Sequence, residues 1–469
     1  MEKKIYDFLV IGAGVVGASI FNKLVLNGYK TIIVDKEDLA SGMSKANSGL
    51  VHAGFDAKEN TLKAKLNVLG NKMYEEICAR IGVPLKKCGA YVLGNDLNAL
   101  KTLKARGKKN GVKGLKILKR KALLKAIPNL SENINLGLHA ENAYIVSPYL
   151  LTICLCEEAV LNGGDYKLFY NIKKVKNTSE YFIVSNGTKE IYAKQIINCA
   201  GAGFNEIAKL LKTEIYDFEF KRGEYYVLDS TESALTSATL FPLPSAHSKG
   251  VLITPTIDGN ILVGPTSYTS DTSVKTTREG LNEIKEKASA LLSNINLKKT
   301  IRVFSGVRVI AGDDFIIENS KLNSKVFNVA GICSPGLSSA PAIAEYVFEK
   351  LGLKPQKIDF KKLEPYKLSK DLTTKEFNEL VKKDSSFGKV VCKCENITEG
   401  DIKMALNRPI KCVSIDGVKQ RVRAGMGRCQ GGFCLDKVIN LIAKENKIDI
   451  KNVIKDKLGS NIIVKNIKE

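Results

Sequence analysis

The sequence predicts an α/β (α+β) protein: a Rossmann-like dinucleotide-binding domain interrupted by an antiparallel sheet, then a small helical C-terminal domain. Three observations carry this reading. "FLVIGAGVVGASI" near the N-terminus joins a buried strand to a helix through a glycine turn. Residues 216 to 310 alternate in the manner of successive strands. "VCKCEN" and "RCQGGFC" place four cysteines in two close pairs far downstream, at 392, 394, 429 and 434.

"YDFLVI" is an apolar run ending in glycine, "VVGASIFNKLVLNG" has helical spacing and a terminal glycine, and "KTIIVD" is a second apolar run ending in an acid. From Asn60 the apolar residues Leu62, Leu66, Leu69, Met73 and Ile77 mark a long amphipathic helix. "SPYLLTICLCEEAVLNGG" is a helix with Ser147 as N-cap and Pro148 in its first turn, and its Cys154 and Cys156 read as core thiols. Residues 166 to 199 form a meander closed by the strand "IINCAG". Asp258-Gly259 sits at a hairpin turn, and "KVFNVAGI" and "SSAPAIAEYVFEKLG" are a late strand and helix. The predicted units are a large one over 1–352 and a C-terminal one over 388–469. Between them 353–387, rich in Lys, Asp and Pro without strong periodicity, reads as a linker. Within the large unit, nucleotide-binding segments are expected at about 1–80, 145–215 and 300–352, with a substrate domain at about 81–144 and 216–299.

The chain has 469 residues, 44% apolar and 26% charged, as a soluble multidomain protein would. No signal peptide and no run of about 20 apolar residues is evident, so a cytoplasmic location is expected. Eleven cysteines in that setting are buried thiols, metal ligands or redox groups rather than a disulfide framework. The net charge is +23, and residues 101–125 hold eleven Lys or Arg and no acid. A solvated helical face is the plain reading; docking to an anionic lipid surface at the inner face of the cell membrane, or to an acidic electron-transfer partner, is the functional one. Nucleic acid is not expected as a partner, because no aromatic residues interleave with the charges and no known module is present.

In "GAGVVG", Gly12 permits a tight turn, Gly14 lets backbone approach a pyrophosphate, and Gly17 lets helix pack on strand, while Val15 opens a helix whose N-terminus favours phosphate. Asp35, followed by Lys36, stands where a carboxylate holds a ribose hydroxyl. Motif spacing does not choose between FAD and NAD. The small, polar stretch "SGMSKANSGLVHAGFD" and a second glycine signal, "NVAGICSPGLSSAP", suit a long cofactor gripped at two ends.

"SKANSGLVHAGFD", "KRGEYYVL", "VLITPTIDGNILVGPT", "FSGVRV" and "AGICSPGLSSAPAIA" closely resemble FAD-dependent glycerol-3-phosphate dehydrogenases and oxidases of the D-amino-acid-oxidase superfamily. They are similar, less closely, to L-2-hydroxyglutarate oxidases. The resemblance covers roughly residues 1 to 350. Asp35 stands where many of these proteins carry glutamate. The resemblance implies that Ser44, Lys45, Asn47, Ser48, Gly49 and Leu50 line the pyrophosphate and flavin. It implies that Ile172 offers its backbone to adenine and that Ala200, Gly201, Gly331, Gly336, Leu337 and Ser338 complete the pocket.

Oxidising a secondary alcohol needs a base for the hydroxyl proton. Of three histidines, His52 lies in the flavin-lining loop, where the resemblance implies a base; a histidine satisfying a turn is the plain alternative. His139 and His247 read as structural or exposed. Arg308 suits a phosphate or a carboxylate equally, and Lys249 and Ser334 tilt the reading to phosphate by resemblance alone. Of Tyr225 and Tyr226 at most one faces substrate, because strand neighbours point oppositely, and Tyr226 is the expected one.

Cys392, Cys394, Cys429 and Cys434 form C-x-C, 34 intervening residues, then C-x4-C. Four thiolates in two pairs hold a [2Fe–2S] cluster or a structural zinc; the one-residue gap is unusual for zinc. The stretch from about 388 to 445 resembles the [2Fe–2S] domain of bacterioferritin-associated ferredoxin, found appended to some flavoprotein dehydrogenases. Together these imply an FAD and [2Fe–2S] dehydrogenase that oxidises sn-glycerol 3-phosphate and drains electrons to a quinone or protein acceptor. A 2-hydroxyacid dehydrogenase and an electron-transfer subunit with an idle flavin site are the rivals.

Overall fold

The computed structural model describes residues 3–244 and 250–465. The opening motif folds as expected: β1 (Ile5–Ile11), α1 (Val15–Leu26) and β2 (Thr31–Val34) form a parallel β-α-β unit. β1 lies between β2 and the strand Glu190–Asn198, and Asp165–Lys167 adds parallel to β2. One edge of Glu190–Asn198 serves two neighbours. Its first half pairs antiparallel with Phe182–Ser185, and its last residues pair parallel with Val326–Ala330. That is how the sequence's meander and its late strand join one sheet.

α1 is buried on most of its surface, with Ile20, Phe21 and Leu24 at 1% exposure or less. It packs between the helices Pro148–Leu161 and Gly336–Lys350, which explains its weak polar face. Each such side chain contributes roughly 1.5–3 kcal/mol on burial. Ser147 caps Pro148–Leu161 by accepting from the Leu150 N–H at 3.4 Å, and Cys154 and Cys156 are core thiols as expected. The long helix α2 (Leu62–Ile81) lies against Gly336–Lys350. A Cβ on Gly70 would come 2.2 Å from the Ser338 carbonyl oxygen, so that crossing requires glycine.

The second sheet has nine strands built from 90–140 and 219–310. Thr300–Ile310, expected to open the last nucleotide-binding segment, instead pairs with Glu219–Leu228 along its length. The sheet therefore runs to Ile310, as the strand alternation over 216–310 indicates, past the segment boundary drawn at 299. The basic stretch runs through the helix Leu97–Lys109, the strand Leu115–Lys119 and the helix Arg120–Ala126; the first helix buries Leu100, Leu103 and Gly107 and turns most of its lysines outward.

The expected linker is ordered and docked. Leu363 is buried in the large unit's core, Tyr366 touches the cores of both units, and Thr374–Lys383 is a helix with a Thr373–Glu376 capping box. That helix half-buries Phe377, Leu380 and Val381 on one face and exposes its charged residues on the other. The C-terminal unit holds a strand pair, Val390–Cys392 with Ile397–Thr398, and helices Glu399–Leu406, Ile415–Val422 and Leu435–Asn446. Thr398 and Asp401 form a capping box at the start of Glu399–Leu406.

Among the described residues no helix is long and apolar enough to cross a membrane.

Candidate active site and thiol centre

At the glycine turn, Gly12 has φ +106°, and a Cβ there would sit 2.5 Å from the Cys199 carbonyl oxygen. A Cβ on Gly17 would sit 1.9 Å from the Gly12 carbonyl. Neither position admits another residue. Asp35 braces the turn: its carboxylate accepts from the Ala13 N–H at 2.7 Å and the Glu37 N–H at 2.9 Å. Burial pushes its carboxyl up to about 6, against the pull of those N–H groups. Lys36 is exposed beside it.

The Val15 N–H donates to Ser44 Oγ at 2.8 Å, which brings the loop after β2 to the N-terminus of α1. Asn47 shapes that loop. Its Nδ2 donates to the Met43 and Ser44 carbonyls, and its Oδ1 accepts from the Gly49 N–H at 2.9 Å. Tyr170 donates its N–H to the Asp35 carbonyl at 2.8 Å, so the Ile172 turn lies beside the Asp35 end of β2. Ala200 and Gly201 follow Cys199 directly above Gly12. Gly331 has φ +64° and packs on Ala311, and Gly336, Leu337 and Ser338 open the late helix.

His52 follows Leu50–Val51 and is held through its backbone. Its N–H donates to Ser338 Oγ at 2.7 Å, and its carbonyl accepts from Asn67 at 2.9 Å and Asn71 at 3.1 Å, both on α2. Its ring lies 5.9 Å from that of Phe241. Ser338 thus joins the late helix to the candidate base, a link invisible in sequence because 286 residues separate them. Lys249 and His247 lie outside the described residues.

Arg308 lies on the same face of its strand as Phe304 and Gly306. A Cβ on Gly306 would come 2.3 Å from the Ala46 carbonyl, so this face abuts the Ser44–Gly49 loop. Arg308 donates to the Thr266 carbonyl at 2.7 Å. Tyr225 shares the face and stacks on Phe304 at 4.9 Å; burial pushes its hydroxyl up to about 12, with Arg308 drawing it down. The expectation for Tyr226 is corrected: it turns to the helix-covered side, against the core cluster that includes Leu228 and Ile284. The strand's period of two puts its neighbour on the Arg308 side instead. Ser334 is exposed, two residues ahead of Gly336.

The four cysteines of the C-terminal unit stand as two hydrogen-bonded pairs, Cys392 with Cys434 and Cys394 with Cys429. The Cys392 thiol is drawn down to about 6 by a hydrogen bond with Cys434, helped by the Gly425 N–H at 3.5 Å, and Cys434 is pushed up by the same bond. Cys394 hydrogen-bonds with Cys429. A Cβ on Gly427 would come 2.4 Å from that of Cys394, so the loop must pass close to the sulfurs. Four sulfur donors in two mutually bonded pairs fit a binuclear iron–sulfur centre.

The unit carrying these thiols is fixed to the large one by charge. Glu157, fully buried on Pro148–Leu161, accepts from Arg408 at 2.9 Å, Arg421 at 3.4 Å and the Tyr366 hydroxyl at 3.0 Å. Ser414 donates to Asp38 at 2.7 Å, and Arg423 donates to Asp258 at 2.8 Å. Sequence reasoning passed over Glu157, although an acid inside "YLLTICLCEEAVL" was the available signal.

Comparison with known proteins agrees with this geometry. Residues 7–350 match the family described as FAD dependent oxidoreductase, and residues 390–444 match the BFD-like [2Fe-2S] binding domain. A glycerol 3-phosphate dehydrogenase of Caloramator mitchellensis is 42% identical over 98% of each chain. A glycerol 3-phosphate oxidase of Mycoplasma genitalium is 30% identical, covering 75% of this chain and 96% of its own. The dithionite-reduced L-alpha-glycerophosphate oxidase of Mycoplasma pneumoniae with FAD bound superposes with a TM-score of 0.73 at 28% identity, covering 77% of this chain and 99% of that one. The glycine cradle and the paired thiols fit the two groups these matches name, and the chain belongs to the FAD dependent oxidoreductase family, an FAD-binding enzyme with a [2Fe–2S] domain at its C-terminal end.

Proposed function

We propose that the protein oxidises sn-glycerol 3-phosphate to dihydroxyacetone phosphate and passes the electrons through its C-terminal domain to a quinone or protein acceptor. What carries the reading is the whole-length likeness to a glycerol 3-phosphate dehydrogenase, 42% over both domains. The site's chemistry supports it. His52, with its backbone clamped from two helices, takes the proton of the secondary hydroxyl. Arg308 spends one donor on Thr266, and its remaining donors form a fork for the phosphate; Ser334 and Lys249 join it by family resemblance alone. Gly12, Gly14, Val15, Gly17 and Asp35 hold the nucleotide end of FAD; the loop from Ser44 to Leu50 and the turn from Gly331 to Ser338 hold its flavin end. Cys392, Cys394, Cys429 and Cys434 ligate the cluster. When bound, FAD supplies a two-electron hydride acceptor and the cluster a one-electron carrier.

Arg308 would serve a carboxylate as well, so the substrate needs a direct test. Under anaerobic conditions the yellow protein should bleach with glycerol 3-phosphate and not with L-2-hydroxyglutarate or glycine. Faster bleaching with L-2-hydroxyglutarate overturns the assignment. His52→Gln should keep its FAD and bleach roughly 10²–10⁴-fold more slowly; an unchanged rate removes His52 from the reaction.

A further inference from the structure

The thiol centre has one exposed edge. Cys392 and Cys434 are buried, Cys429 is half-buried and Cys394 is exposed. In the loop from Cys429 to Cys434, Gly431, Gly432 and Phe433 aim their backbone N–H groups at the Cys429 sulfur. The Phe433 ring itself is 83% exposed and belongs to no apolar cluster of the described residues. Scattered apolar residues are ordinary on a surface. A ring left almost wholly in water on the loop that wraps a redox centre has the place of an interface anchor instead.

The rim of this edge is basic. Lys393 precedes Cys394, Arg428 precedes Cys429, and both are exposed. Lys437 is exposed in the first turn of Leu435–Asn446. A helix N-terminus disfavours a cation, so the helix does not account for that lysine. The large unit adds two more. Arg428 pairs with Asp229 at 2.9 Å, the Asp229 N–H donates to the Lys299 carbonyl at 2.9 Å, and Lys298 and Lys299 are exposed there. Among the described residues Lys298, Lys299, Lys393 and Lys437 make no ion pair. The nearby acids are largely matched: Glu395 takes Arg423 at 2.7 Å and Asp229 takes Arg428. Half-buried Glu232 and exposed Asp436 are left against the four lysines.

We propose that this edge is the docking face for a small carrier protein with an acidic surface, which takes electrons singly from the thiol centre. Phe433 is the apolar contact and the lysines are the rim. The proposal rests on the reading that electrons leave through the C-terminal domain. The carrier's redox group must approach the Cys394–Cys429 side, because the other pair is buried. Opposite charge steers a transient partner into that orientation, and a small interface, under about 1,200 Å², lets it leave again. A lipid surface fits less well: one ring on a tight loop is not the amphipathic helix that lies in a bilayer interface. Each glycerol 3-phosphate oxidised yields two electrons and two protons. Two oxidised carriers take one electron each, and the protons go to water.

The test uses full-length protein loaded with FAD and iron. Two one-electron probes bracket the charge: rubredoxin, small and acidic, and cytochrome c, small and basic. Substrate-reduced protein should reduce rubredoxin at a rate that falls roughly tenfold or more between about 20 and 300 mM salt. Cytochrome c should be reduced more slowly at low salt. The double variant Lys298→Glu, Lys437→Glu changes no neighbour of a cysteine. It should keep its iron, its flavin bleaching and its cluster reduction, yet reduce rubredoxin roughly tenfold more slowly. Phe433→Ala should bind rubredoxin roughly five- to thirtyfold more weakly by low-salt calorimetry. Salt-independent transfer, a parental rubredoxin rate in the double variant, or unchanged binding by Phe433→Ala overturns the docking face. So does binding of phosphatidylglycerol vesicles that the double variant loses while its rubredoxin rate stays parental, which would make the face a lipid contact. A cluster that stays oxidised while the flavin bleaches sinks the electron-exit reading, and this face with it.

Discussion

Replacing Glu157 should loosen the thiol domain from the flavin unit without touching the alcohol site. The carboxylate is fully buried and is shared by Arg408, Arg421 and Tyr366. Arg421 has a side chain only 1% exposed, and its other bonds go to the Gly417 and Ile410 carbonyls. Removing one member of a buried pair typically costs about 3–5 kcal/mol, because the remaining charge stays desolvated. Glu157→Gln keeps the volume and one acceptor, so the lower end applies: about 3 kcal/mol, or roughly a 100-fold shift toward the undocked state. Arg408 is the less affected cation, since it also donates to the Glu364 carbonyl at 2.7 Å and lies over the Tyr366 ring. The assay is anaerobic stopped flow with glycerol 3-phosphate, following flavin bleaching and then cluster reduction. The first phase should be unchanged and the second slower, with faster proteolysis inside 353–387. Glu157→Gln with Arg421→Met removes the carboxylate and the more buried of its two cations, leaving Arg408 with the Glu364 carbonyl; because the fully desolvated charge is gone, this variant should regain part of the protection. A Glu157→Gln protein with parental proteolysis and cluster reduction would refute the latch.

Arg308→Ala should raise KM for glycerol 3-phosphate roughly 10- to 100-fold, the loss of a charged hydrogen-bond donor, with Arg308→Lys restoring only part because an ammonium lacks the fork; steady-state kinetics decide it. Cys392→Ser should lose iron and the cluster's visible absorbance while its flavin still bleaches with substrate, read by iron analysis and anaerobic spectra. Asp35 gives the apoprotein a pH signature. Its folded pKa, about 6, lies above the unfolded value of about 3.9, so the folded state binds the proton more tightly. Its contribution to stability is therefore greatest below about pH 4, declines as pH rises to about 6, and is flat beyond. Denaturation of FAD-free protein across pH 4–7 should show that slope, and Asp35→Ala should lack it.

The sequence by itself determined the glycine turn, the Asp35 bracket and the four thiols. Each depends on residues a few positions apart, where backbone geometry and helix termini impose fixed spacings. Period-two alternation said that only one of Tyr225 and Tyr226 could face the site, but not which. That choice waited on the pairing of Glu219–Leu228 with Thr300–Ile310, whose Gly306 must meet Ala46. The same pairing moved the expected boundary near 300. The helix Thr374–Lys383 was passed over although Phe377, Leu380 and Val381 stand at helical spacing, because that one short stripe sits among charged residues in a stretch rich in Lys and Asp. What only tertiary structure decided are the contacts across long chain separations: Ser338 under His52, and Glu157 between Arg408 and Arg421. Local propensity carries no information about them. They arise when two separately stable surfaces meet, and their polar groups must then be matched to one another.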